Sequence, residues 1–308
     1  MTVKMVIDTD PGIDDAMAIL YALSDPAIDL LGLTTVFGNV PVAQATKNAL
    51  GLLAHVGAEL PVAQGAAQPS LQPPKPHPDF VHGADGFGEV SPQGVPAMPD
   101  PRDAADFLID TIRAHPREVT LVPIGPLTNL AILLDRAPEV ASLVREVIVM
   151  GGAVRTKGNV TPHAEANIWQ DPHAAERVLS APWPLRLIGL DVTEQVRCIE
   201  EDFRILAAAR PRSGDFLAQA VAFYMRFHVE SAGFHGCYMH DPTAVISAVA
   251  PERFGFEPRA LTAICEGEKI GATILAADGR APVQAALSAD AEAIRRRFLD
   301  VIATGPLP

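Results

Sequence analysis

The chain contains few cysteines. Its 308 residues include only three, Cys198, Cys237 and Cys265, and no two of them form a Cys-x-x-Cys pair. A disulfide framework uses an even set of cysteines, and a zinc site uses closely spaced ligands. The sequence therefore argues against both.

Long apolar runs and positive charge are also scarce. No stretch approaches the roughly 18 uncharged apolar residues that a transmembrane helix needs. The first residues form a short apolar run with acidic flanks rather than a signal peptide. Lysine and arginine number 24 against 37 aspartates and glutamates, giving a net charge of −13, whereas a nucleic-acid surface needs a basic patch. We therefore expect a cytoplasmic protein that binds neither nucleic acid nor membrane.

What the chain does contain is an alternation of strand-like and helix-like segments within an ordinary globular composition. The predicted strands are Val3–Asp8, Ile28–Phe37, Val119–Pro123, Val147–Met150 and Leu185–Leu190. The helices predicted to follow them are Asp14–Leu23, Pro41–His55, Leu127–Leu134, His173–Leu179 and Glu201–Ala209. This alternation predicts an α/β fold with an open, Rossmann-like, mainly parallel sheet flanked by helices.

Two regions depart from the alternation. Residues 64–101 are rich in proline and glycine, and we expect an active-site lid there because loops this long are usually functional. The strands predicted for a small antiparallel C-terminal extension are Leu261–Cys265, Lys269–Ala276 and Val283–Ala286, before a final helix over Ala289–Ile302. No linker interrupts the pattern, which predicts one domain over residues 1–308.

The most informative segment is the turn after the first strand, Asp8-Thr9-Asp10-Pro11-Gly12-Ile13-Asp14-Asp15. In an open α/β sheet, ligands bind outside the carboxyl ends of the strands, where these aspartates would lie. Carboxylates about 5 Å apart repel by about 3 kcal/mol per pair at an effective dielectric of about 20. A cation should offset that repulsion, and hard oxygen ligands suit Ca²⁺ or Mg²⁺. The alternative is that Asp14 and Asp15 only favour the helix N-terminus, which leaves Asp8 and Asp10 unexplained.

A second acidic position lies in the segment Tyr238-Met239-His240-Asp241-Pro242-Thr243. Asp241 precedes an apolar helical run, so on its own it could be a helix N-cap followed by proline. Beside the N-terminal aspartates it becomes a candidate ligand of the same cation.

The octet that begins at Asp8, directly after an N-terminal strand, resembles the signature of the nucleoside hydrolases, the inosine-uridine and pyrimidine-preferring nucleoside N-ribohydrolases. Further matches extend the resemblance to nearly the full length. It implies a single nucleoside hydrolase domain that cleaves ribonucleosides to free base and ribose, depends on Ca²⁺ and assembles as a homodimer or homotetramer. By the same resemblance, the calcium ligands are Asp10, Asp15, Asp241 and the backbone carbonyl of Ile124.

The resemblance also implies a ribose site. Its residues are Asp14, Asn39, Met150, Asn159, Glu165 and Asn167. Amides and carboxylates suit ribose because its hydroxyls both donate and accept hydrogen bonds. Taken by themselves, Gly38-Asn39 could be a simple turn. The later Asn and Glu residues could belong to a polar loop that caps the helix start at Asp171-Pro172-His173.

On the base side, the resemblance implies contacts from His82 of the lid and from Tyr224 and His228. The last two are four residues apart on one face of a helix predicted over Phe216–Ser231. A solvated lid histidine and an aromatic face packed in the core are the alternatives.

The implied mechanism passes through an oxocarbenium-like sugar. Calcium and Asp10 would activate a water molecule, and Asp14 would orient it and favour the cationic sugar. His240 would be the acid for the leaving base, because an imidazole can donate a proton near neutral pH, with His82 as a second contact.

Two other functions fit part of the pattern. A haloacid-dehalogenase-like, Mg²⁺-dependent phosphohydrolase also begins with a strand and Asp-x-Asp, and would use Asp8 as nucleophile and Asp10 as acid. Pro11 stands where that family expects glycine. A non-catalytic nucleoside-binding protein would be indicated by loss of Asp10, Asp14 or His240, and all three are present.

Overall fold

The computed structural model of the chain describes residues 2–307. Its strands are β1 (Val3–Thr9), β2 (Ile28–Thr35), β3 (Val62–Gln64), β4 (Val119–Pro123), β5 (Glu146–Met150), β6 (Leu185–Ile188), β7 (Arg197–Cys198), β8 (Cys237–Tyr238), β9 (Phe254–Arg259), β10 (Leu261–Ala263), β11 (Thr273–Leu275) and β12 (Val283–Ala289). Its α-helices are α1 (Ile13–Ser24), α2 (Val42–Val56), α3 (Asp79–His82), α4 (Ala104–Ala114), α5 (Thr128–Arg136), α6 (Ala166–Gln170), α7 (Pro172–Leu179), α8 (Leu190–Thr193), α9 (Glu200–Ala209), α10 (Ser213–Ala232), α11 (His240–Val249) and α12 (Ala291–Thr304). Within the described residues, no helix has the length and apolar character needed to cross a membrane.

Eight strands form one central sheet in the order β3-β2-β1-β4-β5-β6-β12-β9. Every neighbouring pair is parallel except β12 with β9. The remaining strands form two antiparallel pairs, β7 with β8 and β10 with β11. The predicted α/β class, with a mainly parallel sheet and a small antiparallel C-terminal extension, is confirmed.

The path of the chain through the sheet reverses at β1. It runs outward from β1 to β2 and β3, then returns to the other side of β1 and continues through β4, β5 and β6. Ligands of open α/β sheets bind in the crevice at such a reversal, outside the carboxyl ends of the strands. The acidic turn after β1 lies at this point.

Strand β1 shows how the sheet is buried on both faces. Consecutive side chains of a strand point to opposite faces. Met5 and Ile7 pack into one hydrophobic cluster with α1, α11 and α12, whereas Val6 packs into a second cluster with α4, α5 and α7. Burial on both faces explains why the strands of a parallel sheet are continuous apolar runs in the sequence.

The predicted elements lie within a few residues of the observed ones, but the strands β3, β7, β8 and β9 and the helices α3, α4, α6 and α8 were not predicted. The segment Val283–Ala286 forms part of β12, which has the predicted antiparallel pairing, with β9 as its partner. It is also parallel to β6, so it belongs to the central sheet rather than to a separate extension. It takes this place because Val283 and Ala285 bury their side chains in the second hydrophobic cluster.

The proline-rich segment 64–101 is fixed to the rest of the structure at several points. The side-chain amide of Asn48 donates to the carbonyls of Pro11 at 3.0 Å and of Asp85 at 2.7 Å. The hydroxyl of Ser70 donates to the carboxylate of Asp171 at 2.8 Å. These bonds place α3, and with it His82, beside the acidic turn.

Candidate active site

A pocket of about 560 Å³ opens at the carboxyl edge of the central sheet, a volume typical of small-molecule sites. The predicted site residues that line it are Asp10, Asp14, Asn39, His82, Ile124, Met150, Asn159, Glu165, Asn167, Tyr224, His228, His240 and Asp241. The remaining predicted residue, Asp15, is fully buried beneath the lining. The fold therefore brings together side chains that are widely spaced along the chain.

Asp10 is the first acidic side chain beyond β1. Its Oδ2 accepts the backbone N–H of Asn39 at 2.7 Å, whereas its buried Oδ1 has no hydrogen-bond partner within residues 2–307. Gly38 and Gly125 approach this carboxylate so closely that a Cβ atom at either position would collide with it. The carboxylate is therefore held in place with one oxygen free.

Asp15, at the start of α1, is hydrogen-bonded within the turn, to the neighbouring loop and to Asp241. Its oxygens accept from the Thr9 hydroxyl at 2.5 Å, the Gly12 backbone N–H at 2.9 Å and the Asn39 side-chain amide at 3.1 Å. The bond to Gly12 satisfies a backbone donor that the helix leaves free at its N-terminus. Asp15 thus caps the N-terminus of α1 and is also one of the clustered carboxylates.

The carboxylates of Asp14, Asp15 and Asp241 converge, each offering an oxygen within 4.8 Å of the others. The ligand set implied by the sequence has Asp10 in the place of Asp14. Asp10 stands close enough to this group for its charge to raise the pKa of Asp241. We call these four aspartates the acidic floor.

The burial of these four carboxylates close together disfavours their negatively charged forms. Burial, together with the charge of Asp15, raises the pKa of Asp14 to about 8. Burial and neighbouring charges also raise the pKa values of Asp10 and Asp241 well above their usual range. Buried carboxylates must be protonated or paired with a cation. Oδ1 of Asp10 and Oδ1 of Asp14 both lack a hydrogen-bond partner among the described residues. These carboxylate oxygens therefore fit as ligands of a hard cation such as Ca²⁺.

Asp8 lies apart from the acidic floor. Its Oδ1 accepts from the Thr34 hydroxyl at 2.5 Å and from the Asn129 amide at 2.7 Å, and it does not line the pocket. Burial raises the pKa of its carboxyl to about 7. A phosphohydrolase of the haloacid-dehalogenase type would need this side chain as an accessible nucleophile, so the geometry does not support that alternative.

The predicted ribose residues at the ends of β4 and β5 form one hydrogen-bonded unit. The Asn167 side-chain amide donates to the Ile124 carbonyl at 2.9 Å and lies 3.4 Å from the sulfur of Met150. The carboxylate of Glu165 accepts the backbone N–H groups of Gly152 and Asn167, each at 2.9 Å, and burial raises its pKa. Glu165 therefore caps α6 and also lines the pocket. The following helix, α7, is capped by the side chain of Asp171 itself, so the alternative of a polar loop that caps that helix is not supported.

Asn39 and Asn159 reach the pocket from loops. Asn39 holds both Asp10 and Asp15, as described above, so it is more than a turn residue. The side-chain oxygen of Asn159 accepts the backbone N–H of Ala166 at 3.0 Å. Both residues line the pocket.

Another part of the pocket lining is built from rings. We call it the aromatic wall, and its members are His82, Tyr224, Phe227, His228 and Tyr238. The Tyr224 ring centroid is 5.2 Å from that of His82 and 4.3 Å from that of His228. The Tyr224 hydroxyl is 3.4 Å from Oδ2 of Asp14, which joins the wall to the acidic floor. His82 is thus buried in the pocket rather than solvated.

Two histidines of the wall have their ring protons assigned by their partners. Nδ1 of His82 accepts the backbone N–H of Ile13 at 3.2 Å, so the proton of its neutral ring is on Nε2. Nδ1 of His228 lies 2.8 Å from the carbonyl oxygen of Tyr224, which can only accept, so this ring carries its proton on Nδ1. Burial lowers the pKa of His82 to about 3 and also lowers the pKa of His228.

His240 lies between the aromatic wall and the acidic floor. Its Nδ1 is 2.8 Å from the Thr193 hydroxyl, and its ring centroid is 5.5 Å from that of Tyr238. Burial, with the nearby His228 and His82, lowers its pKa to about 3. This environment favours the neutral imidazole, which has one N–H donor and one acceptor nitrogen.

Several residues of the site were not predicted. Phe227 and Tyr238 are next to predicted residues in the sequence, so an aromatic neighbour was a usable signal. Thr193, at the end of α8, meets His240 only in the folded chain, and nothing in its local sequence marks it. His77, whose Nδ1 donates to the Gly38 carbonyl at 2.8 Å, lies in the lid segment without a distinguishing pattern.

Comparison with protein families gives a match over residues 5–296 to the model described as inosine-uridine preferring nucleoside hydrolase. The chain is similar to a probable uridine nucleosidase 1 of Oryza sativa subsp. japonica, with 40% identity over 274 residues that cover 88% of this chain and 84% of the relative. It is also similar to the non-specific ribonucleoside hydrolase RihC of Escherichia coli, with 38% identity over 315 residues, 98% of this chain and 99% of the relative.

Two solved structures have the same fold. The plant nucleoside hydrolase PpNRh1 has a TM-score of 0.95 at 35% identity, covering 99% of this chain and 100% of the other. A purine-preferring ribonucleoside hydrolase from Gardnerella vaginalis has a TM-score of 0.94 at 33% identity, covering 97% of this chain and 98% of the other. These similarities extend over both sides of the pocket.

Proposed function

The chain belongs to the inosine-uridine preferring nucleoside hydrolase family and is an N-ribohydrolase, and we propose how its own residues hydrolyse the N-glycosidic bond of ribonucleosides. The observation that carries the proposal is that one pocket brings together the acidic floor and the aromatic wall. A nucleoside has a matching division into a polyhydroxyl sugar and a flat base. The floor would take the ribose, and the wall the base.

We infer that the cofactor is Ca²⁺, held by Asp10, Asp15, Asp241 and the carbonyl of Ile124. Support comes from the oxygen-only donors, from the mutual repulsion of the buried carboxylates and from the free Oδ1 of Asp10. With water and substrate hydroxyls, these ligands would reach the six to eight oxygens usual for calcium. When bound, the ion offsets the charge of the floor and lowers the pKa of a water molecule in contact with it.

Asp10 and Asp14 would have different catalytic roles next to the ribose. Asp10, whose Oδ1 is free and whose position is fixed by Asn39, would accept the proton of the attacking water. Asp14 also has a free Oδ1, and would orient that water and the 2′-hydroxyl. Its negative charge would stabilise the positive charge that develops on the sugar in the transition state.

The leaving base would be assisted by hydrogen bonds from neutral imidazoles. His240 would donate to the base as the bond breaks, and Thr193 would fix the orientation of its ring. His82 would be the second donor, because its proton is on Nε2. Both groups would stabilise the negative charge that the departing base acquires.

We further propose that residues 1–308 form one nucleoside hydrolase domain in which 64–101 is the active-site lid. The anchored α3 supports this because it carries His82 into the pocket. Assembly as a homodimer or homotetramer stays a prediction.

The proposal is tested by measuring free ribose released from inosine, adenosine, uridine and cytidine. The protein is assayed as purified, after exhaustive chelation, and after addition of Ca²⁺ or Mg²⁺. We expect release that disappears on chelation and returns with Ca²⁺. Release that is unaffected by chelation would refute the metal assignment. Absence of release from all four nucleosides, with calcium demonstrably bound, would refute ordinary nucleosides as substrates.

A further inference from the structure

Thr193, at the end of α8, meets His240, at the start of α11, through one polar contact. Oγ1 of Thr193 lies 2.8 Å from Nδ1 of the imidazole. Thr193 is fully buried and does not line the pocket, whereas His240 lines it. Nε2 of His240 makes no hydrogen bond within residues 2–307 and is not fully enclosed by protein atoms. This nitrogen is therefore the polar atom of the ring that is left for a ligand.

The contact holds one hydrogen, and either group can supply it. If the ring supplies it, Nδ1–H donates to the hydroxyl oxygen, and Nε2 of the neutral imidazole is a bare acceptor. If the hydroxyl supplies it, Thr193 donates to Nδ1, and the ring carries its proton on Nε2. Only the second arrangement gives His240 a hydrogen on the nitrogen that is left for a leaving base.

The burial of Thr193 distinguishes the two arrangements. Its hydroxyl makes no other hydrogen bond, so among residues 2–307 Nδ1 of His240 is the one acceptor for its proton. If Nδ1–H were the donor, the hydroxyl proton of a fully buried side chain would have no acceptor. Such an unpaired buried donor is disfavoured by a factor of about ten or more. If the hydroxyl donates, its proton and the Nδ1 lone pair are both paired, and Nε2–H remains for water or a ligand.

Resting on the proposed function, we propose that Thr193 is a positioning residue for the reaction. Its hydroxyl donates to Nδ1 of His240 and so keeps the ring proton on Nε2, where it is available to the leaving base. Thr193 acts only through the imidazole, because it does not itself line the pocket. Loss of the hydroxyl removes the preference between the two ring nitrogens and the bond that holds the ring in one orientation. A smaller fraction of the enzyme then has the donor in place.

The first test compares two substrates in two variants of Thr193. Thr193→Val keeps the shape of the side chain but removes the hydroxyl, so kcat for uridine should fall about tenfold. Hydrolysis of p-nitrophenyl riboside should change little, because that leaving group needs no donor. Thr193→Ser keeps the hydroxyl and should restore most of the loss with uridine. Thr111→Val is the matched control, because the Thr111 hydroxyl donates to the Phe107 carbonyl at 2.7 Å on α4, outside the pocket, and neither substrate should be affected.

The second test measures the tautomer directly and needs no turnover. In protein that contains ¹⁵N-labelled histidine and is loaded with Ca²⁺, a long-range ¹H–¹⁵N correlation spectrum distinguishes a ring protonated on Nε2 from one protonated on Nδ1. The signals of His240 are assigned by their loss in His240→Asn. We expect the Nε2–H tautomer in the unmutated protein and in Thr193→Ser. In Thr193→Val we expect intermediate shifts that indicate a mixture of the two tautomers.

Three results would overturn the role of Thr193. The first is the Nδ1–H tautomer in the unmutated protein, and the second is an unchanged Nε2–H tautomer in Thr193→Val. The third is an equal loss of both substrates in Thr193→Val that Thr193→Ser does not restore, as expected of a merely structural residue. Absence of ribose release from every nucleoside would instead refute the proposed function. The spectrum would still report the tautomer in that case, so the two failures are distinguishable.

Discussion

The acidic floor and the aromatic wall belong to one pocket and meet at Asp14, but they are formed by different parts of the sequence. Three of the four floor aspartates lie within six consecutive residues at the β1–α1 turn, and Asp241 completes the set. The wall draws on α3, α10 and β8, which are far apart along the chain. A short motif is therefore sufficient to build most of the floor, whereas the wall exists only once the fold is complete.

The two sides also differ in what determines their chemistry. The floor acts through buried negative charge, which any arrangement of these four carboxylates would carry. The wall acts through the positions of single ring protons, which depend on backbone partners such as Ile13 and Tyr224. We therefore expect changes in the floor to abolish the reaction, and changes in the wall to alter which base leaves well.

The largest effect is expected from Asp10→Asn. The amide cannot accept the proton of the attacking water, so kcat should fall by about 10³-fold, within the range usual for loss of a general base. The assay uses saturating Ca²⁺ and substrate because Asp10 is also a proposed ligand of the metal, and the far-ultraviolet circular dichroism should stay close to that of the unmutated enzyme. Asp135→Asn, at a side chain that is 71% exposed, is the control and should leave kcat unchanged. Activity of Asp10→Asn near that of the control would exclude Asp10 as the base.

A smaller and more selective effect is expected from His240→Ala, on the side of the leaving base. Hydrolysis of uridine should slow by about 10²-fold, because the base departs without its hydrogen-bond donor. Hydrolysis of p-nitrophenyl riboside should slow far less, because that leaving group needs no assistance. The comparison of kcat for the two substrates checks this, and an equal loss for both would mean that His240 does not act on the leaving group.

The sequence predicted the floor because its interactions are local. The bonds of Asp15 to Thr9 and Gly12 lie within one turn, so the residues that make them are consecutive in the octet. The strand pattern predicted the α/β class for a similar reason, since burial on both faces leaves continuous apolar runs. Residue types at short spacing were sufficient for both.

The remaining features depend on contacts between distant segments. Thr193 and His240 are 47 residues apart, and their hydrogen bond exists only because α8 and α11 are brought together by the sheet. The place of β12 beside β6 likewise follows from packing rather than from its short apolar pattern. The tautomer of His228 depends on a backbone carbonyl whose direction is set by α10. No local pattern in the sequence reports these contacts.

The smallest expected effect concerns thermal stability. It distinguishes the electrostatic repulsion that Asp241 contributes to the floor from its proposed binding of the metal. Asp241→Asn removes one of several mutually repelling buried carboxylates, so in chelator the variant should melt at or above the temperature of the unmutated protein. In calcium at about 100 times its Kd, the unmutated protein should gain about 2.7 kcal/mol, or about 5 °C in melting temperature, because metal binding favours the folded state. The variant should gain much less, because it has lost a ligand. Differential scanning calorimetry in both buffers measures the two shifts, with the exposed Asp300→Asn as control. An equal calcium-dependent shift in Asp241→Asn would show that Asp241 contributes charge to the floor without binding the metal.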